Sequence, residues 1–287
     1  MTNVIEIIGL RKTYGDFGLR DICFSVPDNC ITGFIGVNGA GKSTTIKCIL
    51  NLIKAESGSV KFWGLDIKSH EQEIKNRIGV VLDEGAFYED LTMSEMKRII
   101  APAYTSWDEA TYKSIMEQFS LNPKQKISTL SKGMKAKYAL VLALSHHAEL
   151  LIMDEPTSGL DPLIRSEFMK MLLDFMKQDG KSVFFSTHIT SDLDRVADML
   201  ILIHDGNIVF QEEKDQLLEK HRIAKGSCTL LTPQIREQFL SLDETGYGFS
   251  GISKDAMKLK SVCPDILLEK AQIEDVMLSY IGGEKHE

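Results

Sequence analysis

Short apolar runs and longer stretches of helical period alternate along residues 2–220. Residues 4–8 and 22–26 read as early strands; in the second, Ile22, Phe24 and Val26 share one face, as period-two alternation requires. Residues 31–35 read as a further strand and 43–53 as the helix that follows it. Strands are also predicted at 59–63 and 78–82. From about 94 to 144 the period turns helical, broken at Pro102, at 106–108 and at Asn122-Pro123. Residues 150–153 are uninterruptedly apolar and end in acids, the pattern of a parallel strand buried on both faces. Pro162 suits the first turn of a helix running to Met176. Residues 182–186 read as a strand, and 199–203 pairs with 208–210 as a hairpin turning on Asp205-Gly206. This alternation predicts an α/β fold with a largely parallel central sheet. Beyond about 221 the character changes to short apolar runs, Gly-rich turns and an amphipathic stretch at 271–281. Residues 221–287 are therefore read as a small accessory domain appended to 1–220.

Candidate chemistry sits at the strand ends. Gly36-Val-Asn-Gly-Ala-Gly-Lys-Ser-Thr44 fits the phosphate-loop pattern G-x-x-x-x-G-K-[ST] without a mismatch. The glycines let several backbone N–H groups point into one concave nest. Lys42 brings a point charge to the β and γ phosphates, and Ser43 offers a hydroxyl to Mg²⁺. The strand before the loop and the helix after it add the helix N-terminal partial charge. Asp154 and Glu155 close the apolar run at 150–153, at the edge where α/β sheets bind ligands. Asp154 suits Mg²⁺ opposite Ser43, and Glu155 suits a base that polarises an attacking water. Ser131, at the head of the helical run ending near 144, reads as a helix cap.

Composition narrows the alternatives. With 287 residues, 43% hydrophobic and 26% charged, the chain can build a substantial core. A net charge of −8 argues against nucleic-acid binding through a basic surface and against a polybasic membrane anchor. Five scattered cysteines lack metal-site spacing, which points to a reducing cytoplasm. No signal peptide is evident, and no run reaches the ~18 apolar residues of a membrane span. Work at a membrane would need docking on another chain.

The phosphate loop, Leu130-Ser-Lys-Gly133, the 150–155 strand, Ser158-Gly-Leu-Asp161 and Ser186-Thr-His188 together resemble the ATP-binding cassette (ABC) ATPase family, in order and spacing, over roughly residues 2–220. The resemblance implies an α/β P-loop ATPase fold with a mixed central sheet, an N-terminal antiparallel β subdomain, a helical subdomain inserted at about 85–145 and a small C-terminal extension. It implies two cassettes joined head to tail, with ATP and Mg²⁺ between the phosphate loop of one and the signature segment of the other. On that basis Tyr14 stacks on adenine, and Gly36, Asn38, Gly39, Ala40, Gly41, Lys42, Ser43 and Thr44 hold the phosphates. Ser131, Gly133 and Met134 form the signature that meets the partner's ATP. Asp161 couples the two sites, and His188 contacts the γ phosphate beside the catalytic Glu155.

Two departures stand out. The usual Leu-Ser-Gly-Gly-Gln carries Lys132 and Met134 here, and the usual glutamine after the 78–82 strand is replaced by Asp83-Glu84, with Asp83 a candidate Mg²⁺ ligand. These features, with Phe87-Tyr-Glu-Asp-Leu-Thr92 and Ile273-Glu-Asp-Val-Met277, resemble the bacitracin-exporter-like subgroup of single-cassette ATPases for antimicrobial peptides and other antibiotics. The implied partners are a separate multi-span permease and a second ATPase subunit on the cytoplasmic face of the cell membrane. The alternatives are a sensory ATPase in a resistance complex, or a soluble non-transport ABC protein.

Overall fold

The computed structural model describes residues 2–82 and 87–282. Two long strands, β1 (Asn3–Tyr14) and β2 (Phe17–Pro27), pair antiparallel and open the chain. Both exceed the expected lengths, because the buried positions lie in the middle and the hairpin end is exposed. β3 (Ile31–Ile35) is wholly buried and runs into α1 (Lys42–Ile49). This helix is shorter than the expected 43–53: Leu50 caps it and Asn51 turns the chain at φ 56°. β4 (Ser57–Phe62) and β5 (Leu65–Asp66) complete a four-stranded antiparallel sheet in the order β2-β1-β4-β5.

α2 (Glu71–Arg77) leads to β6 (Ile78–Val81), an edge strand of the central sheet. α3 (Met93–Ile100), α4 (Glu109–Gln118) and α5 (Lys132–Leu144) form the helical region. Each begins where a short polar side chain satisfies orphan N–H groups. Thr92 and Glu95 form a reciprocal capping box, Asp108 accepts from Ala110 and Thr111, and Ser131 accepts from Met134. The Tyr138 hydroxyl, fully buried, donates to Met93 O at 2.6 Å and ties α5 to α3.

β7 (Leu150–Asp154), α6 (Pro162–Met176), β8 (Ser182–Thr187), α7 (Thr190–Val196), β9 (Met199–His204) and β10 (Asn207–Glu213) complete the central sheet in the order β10-β9-β3-β8-β7-β6. All neighbours are parallel except β9–β10, the hairpin expected at Asp205-Gly206, whose φ values of 43° and 72° are those of a primed turn. The sheet is thus α/β and mixed. Phe24 of β2 meets Phe34 and Phe184 of the central sheet at ring-centroid distances of 5.4 and 5.7 Å, and these rings join the two sheets.

α8 (Lys214–Lys220) connects to a third sheet built from β11 (Arg222–Gly226), β12 (Phe239–Thr245), β13 (Gly248–Ser253) and β14 (Leu267–Lys270), all antiparallel, in the order β12-β13-β11-β14. The short α9 (Pro233–Arg236) and α10 (Ala256–Val262) flank it. α11 (Ile273–Gly282), the amphipathic stretch seen in the sequence, buries Ile273, Val276 and Met277 in the same core that holds Leu193 and Val196 of α7.

Candidate functional site

Strand order builds the site. β3, β8 and β7 are neighbours in parallel register, with Ile35 opposite Thr187 and Asp154 opposite Ser186. The segments that follow these strands carry the phosphate loop, His188 and Glu155, so all three emerge at one carboxyl edge of the sheet. A cleft of about 550 Å³ opens there, lined by Phe17, Asn38, Gly39, Gly41, Lys42, Ser43, Thr44, Glu155, Ser158 and His188.

The loop needs its glycines for separate reasons. Gly39 and Gly41 sit at φ 83° and 113°, where a side chain is strained. A Cβ on Gly36 would lie 2.5 Å from the Ile203 carbonyl oxygen. Ala40 is buried, and its carbonyl accepts from Gly206 N. Lys42 is 5% exposed; its ammonium donates to the carbonyls of Gly36 at 2.7 Å and Val37 at 3.2 Å, and lies 3.1 Å from Glu155 Oε1.

Glu155 is fixed from both sides. Its backbone N–H donates to Ser186 Oγ at 3.0 Å, while that hydroxyl donates to Asp154 Oδ1 at 2.6 Å. One serine therefore orients both acids. Glu155 Oε2 accepts from His188 Nδ1 at 2.7 Å. Oε1 is buried and accepts no hydrogen bond from the described residues; its contact with Lys42 is ionic and lacks hydrogen-bond geometry. A buried acceptor with a free lone pair facing the phosphate nest fits a site that orders a water or a hydrated cation beside a phosphate.

Ser131, Gly133 and Met134 head α5 and do not line the cleft. Gly133 is buried against Ile164, where a Cβ would meet Cδ1 at 2.5 Å. Asp161 caps α6 by accepting from Leu163 and Ile164. Tyr14 is 49% exposed on the hairpin rim, directly opposite Phe17, and it is Phe17 that borders the cleft. No sequence motif assigns Phe17 a role, although two aromatics flanking Gly15-Asp16 are a legible signal. Asp83 lies outside the described residues.

A sequence profile of the ABC transporter family matches residues 19–158. The bacitracin transport ATP-binding protein BcrA of Bacillus licheniformis is 33% identical over 225 residues, which cover 77% of this chain and 74% of that protein. The chain belongs to the ABC transporter family. The ABC transporter ATP-binding protein YtrB of Bacillus subtilis is 26% identical and aligns over 98% of this chain and 99% of its own length, so that likeness extends through the third sheet. A solved structure of an ABC transporter ATP-binding subunit shares the fold with a TM-score of 0.67 and 29% identity, over 75% of this chain and 91% of its own. The bacitracin-exporter-like subgroup that the signature segment resembles is thus also the one the similarities point to. Among the described residues no helix of this ABC ATPase is long and apolar enough to cross a membrane.

Proposed function

We propose that this ABC ATPase powers a membrane exporter of an antimicrobial peptide or related antibiotic by hydrolysing Mg²⁺-bound ATP. The observation that carries the reading is Glu155, a largely shielded carboxylate (side chain 10% exposed) anchored to Lys42 and His188 at the mouth of a complete phosphate loop. The backbone of 38–44 and Lys42 bind and orient the triphosphate, and Tyr14 offers its exposed face to the adenine. Ser43 and Asp154 would hold Mg²⁺, which would supply neutralisation of the phosphate charge. Glu155 takes a proton from the attacking water through Oε1, and His188, locked by Nδ1 on Glu155, turns Nε2 toward the γ phosphate. Asp83 is a further candidate ligand of the Mg²⁺ by its place in the sequence.

The signature residues Ser131, Gly133 and Met134 serve a second cassette. They lie off the cleft of their own chain, which favours a head-to-tail pair with Asp161 coupling the two sites. Residues 1–220 form the cassette, with its helical subdomain at about 85–145, and 221–287 an accessory domain. The partner is a separate multi-span permease, which holds the ATPase at the cytoplasmic face of the membrane; nucleic acid is not a partner.

A pull-down of tagged Glu155→Gln protein with ATP from detergent-solubilised membranes of the source cell tests the reading. Recovery of a multi-span membrane protein is the expected result. Recovery of ribosomes, nucleic acid or soluble regulators alone would overturn the exporter role.

A further inference from the structure

Helix α7 begins two residues after His188, and its placement depends on one buried acid. Asp192 is 4% exposed on this helix. Its Oδ2 accepts from Thr157 Oγ1 at 2.7 Å, and its Oδ1 accepts from Arg165 Nη2 at 2.7 Å. Thr157 is fully buried, two residues after Glu155 in the turn that follows β7. Arg165 lies in the first turns of α6. The next residue of α7, Leu193, packs on Gly33 of β3 so closely that a Cβ there would be 2.2 Å from Leu193 Cδ2. Thus α7 is seated on the strand that feeds the phosphate loop and is bonded to the turn that carries Glu155.

Two rungs therefore join the same two loops. The first is Glu155–His188 at 2.7 Å, whose histidine side chain is 38% exposed. The second is Thr157–Asp192, wholly buried and charge-assisted, so water competes for it far less. The first rung contains the reacting groups; the second touches none of them.

We propose that Asp192 is a positioning residue for ATP hydrolysis, which through Thr157 and Arg165 fixes the separation of the Glu155 turn from the His188 strand end. This inference rests on the assignment of Glu155 and His188 to hydrolysis. Neither Asp192 nor Thr157 contacts the phosphate nest, so their loss acts on the chemical step and leaves nucleotide binding intact.

The test is steady-state hydrolysis with the full chain, normalised to the fraction that binds a fluorescent ATP analogue. Thr157→Val removes the hydroxyl at constant shape. It is expected to lower kcat about 10-fold while KM for ATP stays within about twofold. Thr157→Ser, which restores the donor, recovers most of the rate. Asp192→Asn lowers kcat similarly, and the double variant falls little further, because both changes cut one rung. Unchanged kcat in Thr157→Val and Asp192→Asn overturns the proposal. So does a parallel loss of kcat and nucleotide affinity that serine does not rescue, which marks a purely structural role. Glu155→Gln is run beside them. If it hydrolyses at the normal rate, the assignment of Glu155 fails; if it is inactive while Thr157→Val is normal, only the positioning role fails.

Discussion

Glu155 sits in the left-handed backbone region at φ 48°, a conformation that costs a non-glycine residue about 1–3 kcal/mol. The cost is offset by the Ser186 hydroxyl on its N–H and by the Lys42 and His188 contacts of its carboxylate. Strain of this kind collects where a side chain must be aimed. Lys42→Ala removes a charge-assisted phosphate donor and leaves Glu155 without its cation. ATP binding, measured by titration with a fluorescent analogue, is expected to weaken about 10- to 100-fold; normal affinity would contradict the phosphate-loop reading. Gly41→Ala forces a Cβ to 2.8 Å from Leu19 Cδ2 at a φ of 113°, and weakened nucleotide binding is the expected outcome of the same titration. At this scale the phosphate loop and the paired acids were legible, because each is a contiguous motif whose spacing carries its chemistry. Phe17, Ser186 and Asp192 were not assigned roles, because their partners are brought in by strand order: Asp192 meets Thr157 across 35 positions of chain.

Elements show where local rules hold and where packing overrides them. The cap at Ser131 and the helix start at Pro162 were readable from local rules, whereas Asp161, singled out only as a coupling residue, turns out also to cap α6. The end of α1 was not readable. Its apolar residues continue past Ile49, but the chain turns at Asn51 so that Leu50 can enter the core between the sheets. Asp161→Ala removes the acceptor for two backbone N–H groups of α6, and a loss of about 1 kcal/mol in denaturant unfolding is expected. Phe184 is fully buried, with ring centroids 5.5 Å from Phe34 and 5.7 Å from Phe24. Phe184→Ala should cost about 3–5 kcal/mol in the same experiment, because a cavity opens between the two sheets.

Across the whole molecule, the C-terminal sheet is tied to the cassette through His221, which is 1% exposed. Its Nδ1 donates to Ser253 O at 2.8 Å, and Nε2 accepts from the Tyr280 hydroxyl at 3.1 Å. Tyr280 of α11 packs on Phe210 of β10. Burial holds the imidazole below its usual value of 6.5, with Lys220 also lowering it and the Ser253 carbonyl, Glu212 and Asp255 opposing. Above 6.5 both folded and unfolded chains carry it neutral. As pH falls below 6.5 the unfolded chain takes up a proton that the fold refuses, so stability declines until the folded value is reached. Thermal melts at pH 7.5 and 5.5 should show lower stability at 5.5, and His221→Gln should reduce that difference, the remainder including His146, which burial also holds low; an unchanged pH slope would remove His221 as a source. The periodicity of 271–281 foretold α11, but its seat beside α7 follows from tertiary packing that a one-dimensional pattern does not contain.

If Glu155 drives hydrolysis in a site that binds ATP without it, one paired measurement on Glu155→Gln shows it: ATP affinity and hydrolysis rate with Mg²⁺, with size-exclusion chromatography of the same samples. Expected are affinity close to the unaltered protein, hydrolysis lowered about 100-fold or more, and an ATP-dependent pair in solution. Hydrolysis at the unaltered rate would contradict that role for Glu155.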